Sequence, residues 1–416
     1  MMKKRTVLFV LLSFAVCCLV ETPTTGQSGQ SGQTGQTGQT GQFNLGFSYN
    51  GYYNDNIFMN ATQVADYLSA LQTDLNLTLN KFNLYLSASA DLYADNPGYN
   101  SFYIEPGVEL LYPLKGRNNI YLGVGYSILN YKELYTDFNY SGPIIQAGIK
   151  LNTSPRTLLK AGFRFQSRNY TDYESFDYID SSTLVEFKTL FKTQTTVRLQ
   201  TGFNYRYYPH IVDDYDFEEG YNYFQNQASH GKGKGKPGNP PNQQNQHNQS
   251  YTYHSLAIPS FYGIIGIDQG LSTRLGISGE AEYRQHFRDL DYGSAETLIK
   301  NAYILYPLND DYLWKGTRLT LRLNVVLFRQ LAISLEGKVS YFDKQYPGIY
   351  VMDAEGNPSQ PLREREDSLL HYMLKASKTI GKLELLSEFT YRHNKSNDNY
   401  FFYDLLTISV GIGYYL

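Results

Sequence analysis

The chain has 416 residues and a formal net charge of −3, too close to neutral for long-range attraction of the whole chain to nucleic acid or anionic lipid. Forty Tyr and 23 Phe stand against a single Trp, and the mean hydropathy of −0.42 excludes a protein built from membrane-spanning helices. It does not exclude a membrane β-barrel, in which only alternate strand residues meet lipid.

Residues 1–26 have the pattern of a secretory signal peptide. Lys3, Lys4 and Arg5 form the positive region, Val7 to Val20 the apolar region, and the small residues Thr24 and Gly26 suit cleavage after Gly26. Lipidation at Cys17 or Cys18 is the competing reading. It fits less well, because Val16 and Cys17 precede them where a lipidation signal wants Gly, Ala or Ser. These are the only two cysteines, so the mature chain is expected to hold no disulfide and no thiolate metal site. No cofactor motif is present.

Residues 27–42 read QSGQSGQTGQTGQTGQ. This three-residue repeat has no apolar side chain to bury and predicts a flexible tether. It lacks the Pro and the length that a collagen triple helix needs.

From Phe43 the pattern changes to strands of period two. Sixteen are predicted: 43–54, 66–80, 81–94, 101–114, 119–132, 141–152, 157–170, 178–192, 195–208, 251–269, 273–288, 312–328, 331–345, 367–379, 382–395 and 401–416. Their connections alternate in length. Tight links such as Asn80-Lys81, Lys115 to Asn118 and Lys192 to Gln194 are interleaved with mostly longer ones at 55–65, 133–140, 171–177, 209–250, 289–311 and 346–366. Short turns on one side and long loops on the other predict an antiparallel up-and-down barrel in an outer membrane, its loops outside and its turns and termini in the periplasm.

Tyr and Phe cluster at the long-loop ends, among them Tyr93, Phe102, Tyr103, Tyr131, Tyr170, Tyr178, Tyr205, Tyr207, Tyr341, Tyr391, Phe401, Phe402 and Tyr403. A smaller set, Phe82, Tyr112, Tyr121, Phe191, Phe328 and Tyr414, marks the short-turn ends. Two such belts predict interface girdles, where the ring is apolar and the hydroxyl wants water.

One strand shows the two faces most plainly. In TRLTLRLNVVLF, residues 317–328, Arg318, Thr320, Arg322 and Asn324 share one parity and Leu319, Leu321, Leu323 and Val325 the other. A soluble sandwich would also have one polar face per strand, but it needs bulky residues pressed between two sheets and managed edges. Here the apolar parity carries lone small residues such as Ala147, Ala161, Gly279, Gly337 and Ala376, which lipid chains accommodate. The leucines are therefore expected to face lipid and the arginines a lumen. The last strand alternates Ile408, Val410, Ile412, Tyr414 and Leu416 to the final residue. It resembles the C-terminal signal read by the barrel assembly machinery, with Leu416 where an aromatic is usual.

The run Tyr49 to Phe58, with Asp55-Asn56-Ile57-Phe58 leaving the first strand and LSALQTDLNLTL following, resembles the start of a family of outer-membrane β-barrel porins often encoded beside surface-polysaccharide genes. The resemblance implies an outer-membrane barrel and carries no catalytic residue to transfer.

Sixteen strands make a barrel wide enough for an aqueous channel. Lys150, Lys160, Arg164, Arg198, Arg206, Arg274, Arg284, Arg318 and Arg322 give one side of the inferred lumen a basic bias, with Glu280 and Glu282 among them. Asp74, Asp91, Glu105 and Glu109 give the other an acidic one. These residues are the predicted pore lining, and a passive, weakly anion-preferring pore for small solutes or saccharides follows. The same charges also fit a purely structural role, pairing across neighbouring strands. In the loop 209–250, Asp213, Asp214, Asp216, Glu218 and Glu219 are candidates for binding a cation or, with the adjacent tyrosines, a sugar; a solvated loop fits as well, and no EF-hand spacing is present. A surface or export-complex barrel with a plugged lumen is the alternative. An enzyme at the rim is a minor one, resting on His393 with Ser396 close by in sequence. Outer-membrane lipid and the assembly machinery are the expected partners.

Overall fold

The computed structural model describes residues 42–59, 61, 63–172, 174–212, 253–287, 313–327, 333–351 and 363–416. The signal peptide, the tether up to residue 41 and the loops 213–252 and 288–312 lie outside the described residues.

Alternating sequence becomes strand in sixteen places. They are β1 (Gln42–Asn54), β2 (Asp66–Leu79), β3 (Phe82–Tyr93), β4 (Ser101–Pro113), β5 (Asn119–Tyr131), β6 (Tyr140–Ser154), β7 (Thr157–Tyr170) and β8 (Tyr178–Leu190). The second half holds β9 (Thr195–Val212), β10 (Tyr253–Gly270), β11 (Leu275–His286), β12 (Lys315–Leu327), β13 (Ile333–Tyr350), β14 (Glu364–Ile380), β15 (Leu383–Ser396) and β16 (Tyr403–Tyr415). Each strand pairs antiparallel with the next, and β1 pairs with β16, from Gly46 opposite Tyr415 to Asn54 opposite Thr407. The sheet is a closed cylinder with no free edge.

Local chemistry sets the tight turns. Asn80 (φ 57°) and Gly381 (φ 62°) each open a two-residue turn in the left-handed region, where Asn and Gly are tolerated and most residues are not. The short turns gather at one end of the cylinder. The start of β1 and the end of β16 meet at that same end, where the Leu416 amide donates to the Leu45 carbonyl at 2.8 Å.

Packing identifies the two faces. One continuous cluster of buried side chains takes Tyr140 from β6, Tyr170 from β7, Tyr208 from β9, Ile258 from β10 and Tyr346 from β13, and only the inside of the cylinder can bring these together. The opposite parity carries the exposed apolar residues: Leu319 and Leu321 are each 54% exposed and Ile265 57%. On β12 the leucines therefore face outward and Arg318 and Arg322 inward.

The aromatic belt at the long-loop end differs from expectation. Phe102, Tyr205, Tyr207, Tyr341, Tyr391 and Phe402 lie on outward parity, but Tyr93, Tyr103, Tyr131, Tyr170, Tyr178 and Tyr403 lie on inward parity, and Phe401 is buried in the inner cluster. The cause is that the connections fold inward. Tyr135 and Phe138, in the 3-10 segment Glu133–Phe138, and Phe176, in Glu174–Phe176, descend into the mouth and stack; the Phe138 and Phe176 rings are 5.6 Å apart and parallel within 1°. They need apolar cover, and the inward aromatics of the neighbouring strand ends supply it. At the short-turn end Tyr121 also turns inward, its ring lying where a Cβ on Gly148 would be.

Candidate functional site: the inner wall

The polar parity of each strand builds the inner wall, and the register fixes which charges meet. Along β9–β13 they form a network. Arg318 reaches Glu280 at 2.9 Å and Glu282 at 2.5 Å, and Glu280 also accepts from Arg198, two strands away on β9. Arg284 bonds Glu282 at 2.9 Å on its own strand, and the Arg322 Nε stands 2.9 Å from Glu336. Toward β7 and β8 the pairs are Arg206 with Asp180 at 3.1 Å and Lys160 with Glu186 at 3.4 Å. Lys150 and Arg164 sit on the same inward parity. Arg164 donates to the Gln166 amide oxygen at 3.3 Å.

The acidic side is held differently. Asp74 accepts from Ser87 at 2.7 Å and from Gln72 at 2.9 Å. Glu105 accepts from Tyr85 at 3.2 Å and, more closely, from Tyr103; Glu109 accepts from Asn83 at 3.1 Å. Among the described residues, none of Asp74, Asp91, Glu105 and Glu109 has a Lys or Arg within 4 Å. Hydroxyls and amides, not cations, satisfy Asp74, Glu105 and Glu109, so their charge is not cancelled at contact.

The two sides lie across the cylinder from one another. In the closed order β3, at the centre of the acidic β2–β4, is eight strands from β11, at the centre of the β9–β13 network, whichever way one counts. A net field transverse to the barrel axis follows from this placement.

Most of the expected wall residues thus share one face. Arg274 does not belong to the wall. Strand β11 begins at Leu275, and Arg274 lies in the turn before it, its amide bonded to the Ser272 hydroxyl at 3.1 Å. A serine hydroxyl that caps its own turn ends the strand there. Asp213, Asp214, Asp216, Glu218 and Glu219 lie outside the described residues. The pairing of His393 with Ser396 is not formed, because the two fall on opposite faces of β15. His393 instead lies 2.8 Å from Asp404, which also accepts from the Tyr391 hydroxyl at 2.6 Å.

Sequence parity did not reveal a further element of the wall, its tyrosine–glycine contacts. The Tyr85 ring covers Gly107 on β4 and Gly125 on β5, the Tyr121 ring covers Gly148, and the Tyr262 ring lies against Gly202. Glycines on consecutive strands of one face, paired as Gly107 and Gly125 are, are the signal that could have found the first of these. Above the wall, at the mouth, the Tyr99 and Tyr135 hydroxyls bond to each other within the inner aromatic cluster. Burial pushes Tyr99 up to about 12 and raises Tyr135 as well, so both stay neutral.

The sixteen strands define a closed antiparallel all-β barrel, the fold to which the resemblance at Tyr49–Phe58 points. No family model and no curated protein matches the chain. Among solved structures, OccAB1 of Acinetobacter baumannii is similar with a TM-score of 0.50 at 9% identity, over 90% of this chain and 96% of that one. The outer membrane protein OpdK of Pseudomonas aeruginosa gives 0.46 at 11% identity, over 90% and 99%. OccK8 of the same organism gives 0.46 at 9%, over 90% and 98%.

Proposed function

We propose that the chain is a passive aqueous pore of the bacterial outer membrane, with a weak preference for anions and a capacity to pass small polar solutes, saccharides included. The observation that carries this reading is the inner wall: a paired but cation-rich network on β9–β13 faces four carboxylates without cationic partners on β2–β4. A barrel of this strand number leaves room for water between such walls. The common end of β1 and β16 supports periplasmic termini, since the long loops then face outward. The outward stripe of β16, Ile408, Val410 and Ile412, is the segment offered to the assembly machinery. His393 is held by Asp404 on the outward face, and this reading gives it no reaction.

The test is conductance of the refolded barrel in a planar bilayer, with ion selectivity from the reversal potential, repeated after deletion of 213–248. Stable open steps with a modest anion preference are expected, and deletion changes their gating but not their existence. The inward aromatic cluster at the mouth favours one second reading, a surface barrel with a closed lumen. Electrical silence of both proteins would select it.

A further inference from the structure

The rim formed by the short turns has one sign of charge. In chain order, the first turn carries Lys81, the second Lys115 and Arg117, the third Arg156 and the fourth Lys192. The fifth carries Arg274 and the seventh Lys382; the sixth, 328–332, lies outside the described residues. None of these six described turns contains an Asp or Glu, and all seven cations are exposed. None has a carboxylate within 4 Å among the described residues. Among the described residues the opposite rim is mixed. Asp55, Asp95, Asp172, Glu174 and Asp398 stand there among Lys132 and Lys395.

We infer that the short-turn rim is a docking ring for anionic glycerophospholipid headgroups of the leaflet in which it sits. The inference rests on the membrane placement proposed above. Charge alone would also suit an acidic soluble protein or an anion-gathering pore mouth. The apolar neighbours decide for lipid. Leu79 and Phe82 bracket Lys81, Phe191 adjoins Lys192, and Leu383 adjoins Lys382, and each of these apolar side chains is exposed, from 41% at Leu383 to 53% at Phe82. A cation beside an exposed apolar side chain, present in three of the six described turns, matches the boundary between hydrocarbon and phosphate, where the apolar group sits in the acyl region and the ammonium at the headgroup. In the first turn the Lys81 ammonium shows which side is used. It stands 4.5 Å above the ring of Tyr112, which faces outward from β4. A soluble partner would leave that apolar belt without purpose, and a mouth that gathers anions would turn its cations inward.

The experiment uses the full mature barrel in vesicles of phosphatidylcholine with phosphatidylglycerol as the minor lipid. Spin-labelled phosphatidylglycerol and phosphatidylcholine report the relative association of each with the barrel surface. We expect phosphatidylglycerol to be preferred by about fivefold, the ratio one phosphate contact supports, and the preference to shrink in 1 M salt, where the screening length is about 3 Å. The combined variant Lys81→Gln, Lys115→Gln, Arg117→Gln, Arg156→Gln and Lys192→Gln should lose most of it. The charge-conserving variant Lys81→Arg, Lys115→Arg and Lys192→Arg should keep it, which separates charge from folding. Equal association of the two lipids with the wild-type barrel, or an unchanged preference in the glutamine variant, overturns the inference while leaving a conducting pore in place. So does a glutamine variant that alters only the ion selectivity of the channel, which would assign the ring to the mouth. A wild-type chain that enters no bilayer overturns the inference and the pore reading together.

Discussion

The Arg198 guanidinium crosses Gly266 to meet the Glu280 carboxylate two strands away. A Cβ on Gly266 would lie 3.3 Å from the Arg198 Nε, so the absence of a side chain there is what leaves the path clear. Because Arg318 also reaches Glu280, at 2.9 Å, this one carboxylate holds guanidinium groups from two strands other than its own.

Glu280→Gln should therefore uncover the Arg198 guanidinium and raise the charge of the wall by one unit, while Arg318 keeps Glu282. At about 10 Å in water one unit charge contributes roughly 0.4 kcal/mol, or about twofold in ion preference. The reversal potential in a salt gradient should move toward anions by about that factor. Gly266→Leu should push Arg198 aside and move selectivity the same way by less. A shift toward cations in either variant would mean that these groups do not face the permeating ions.

The acidic side makes a complementary prediction. Asp74, Glu105 and Glu109 are satisfied by Ser, Tyr and Asn side chains, so their charge acts at range. Asp74→Asn with Glu109→Gln preserves most of these hydrogen bonds and removes two charges. Anion preference should rise by about fourfold at low salt and by much less at 1 M, where the field is screened. Unchanged selectivity would place these carboxylates outside the ion path.

Much of this was legible in sequence, and the physical reason is locality. A two-residue period is written by adjacent letters, so β7 was read as 157–170 and is Thr157–Tyr170, and the inward parity of Arg318 and Arg322 followed from their leucine neighbours. Partner choice is not local. Glu280 meets Arg198 only because β9, β10 and β11 pair in one register, and nothing near either residue states it. The mouth was misread for a similar reason. Tyr170 and Tyr178 lie at strand ends as a girdle requires, yet they face inward because Phe176, between them in sequence, folds into the lumen over them. Arg274 was assigned to the wall because alternation runs smoothly into a turn that only the Ser272 cap ends.

The tyrosine–glycine contacts predict a packing defect rather than a charge effect. The Tyr85 ring occupies the space above Gly107 and Gly125, and its hydroxyl donates to Glu105 at 3.2 Å. A methyl group at position 107 overlaps that ring, so Gly107→Ala must displace it and break the hydrogen bond. We expect a loss of about 1–3 kcal/mol, read as a lower urea midpoint for unfolding of the refolded barrel. Tyr85→Ala combined with Gly107→Ala should recover part of the loss. If the double variant is no more stable than Gly107→Ala alone, the ring and the glycine are not coupled.

Asp66 carries the last prediction. It opens β2, is 1% exposed, and its carboxylate gathers five donors. Oδ1 accepts from the amides of Tyr67 at 2.6 Å, Asp95 at 2.9 Å and Ala94 at 3.1 Å. Oδ2 accepts from the Asn96 amide at 3.0 Å and its side-chain nitrogen at 2.8 Å. One side chain on β2 thereby fixes the start of the connection from β3 to β4, whose Tyr99 meets Tyr135 at the mouth. Asp66→Ala would take this acceptor from all five donors, of which the Ala94 amide keeps the Tyr67 carbonyl at 2.9 Å, at a cost of about 2 kcal/mol. Asp66→Asn keeps one oxygen and should cost about half as much. Hydrogen exchange of the amides at 94–96 should quicken in the same order, and because the Tyr99–Tyr135 contact hangs on this connection, brief current interruptions should become more frequent in Asp66→Ala. Exchange at 94–96 that stays as slow as in the wild type would show that the connection is held by the aromatic cluster and not by the carboxylate.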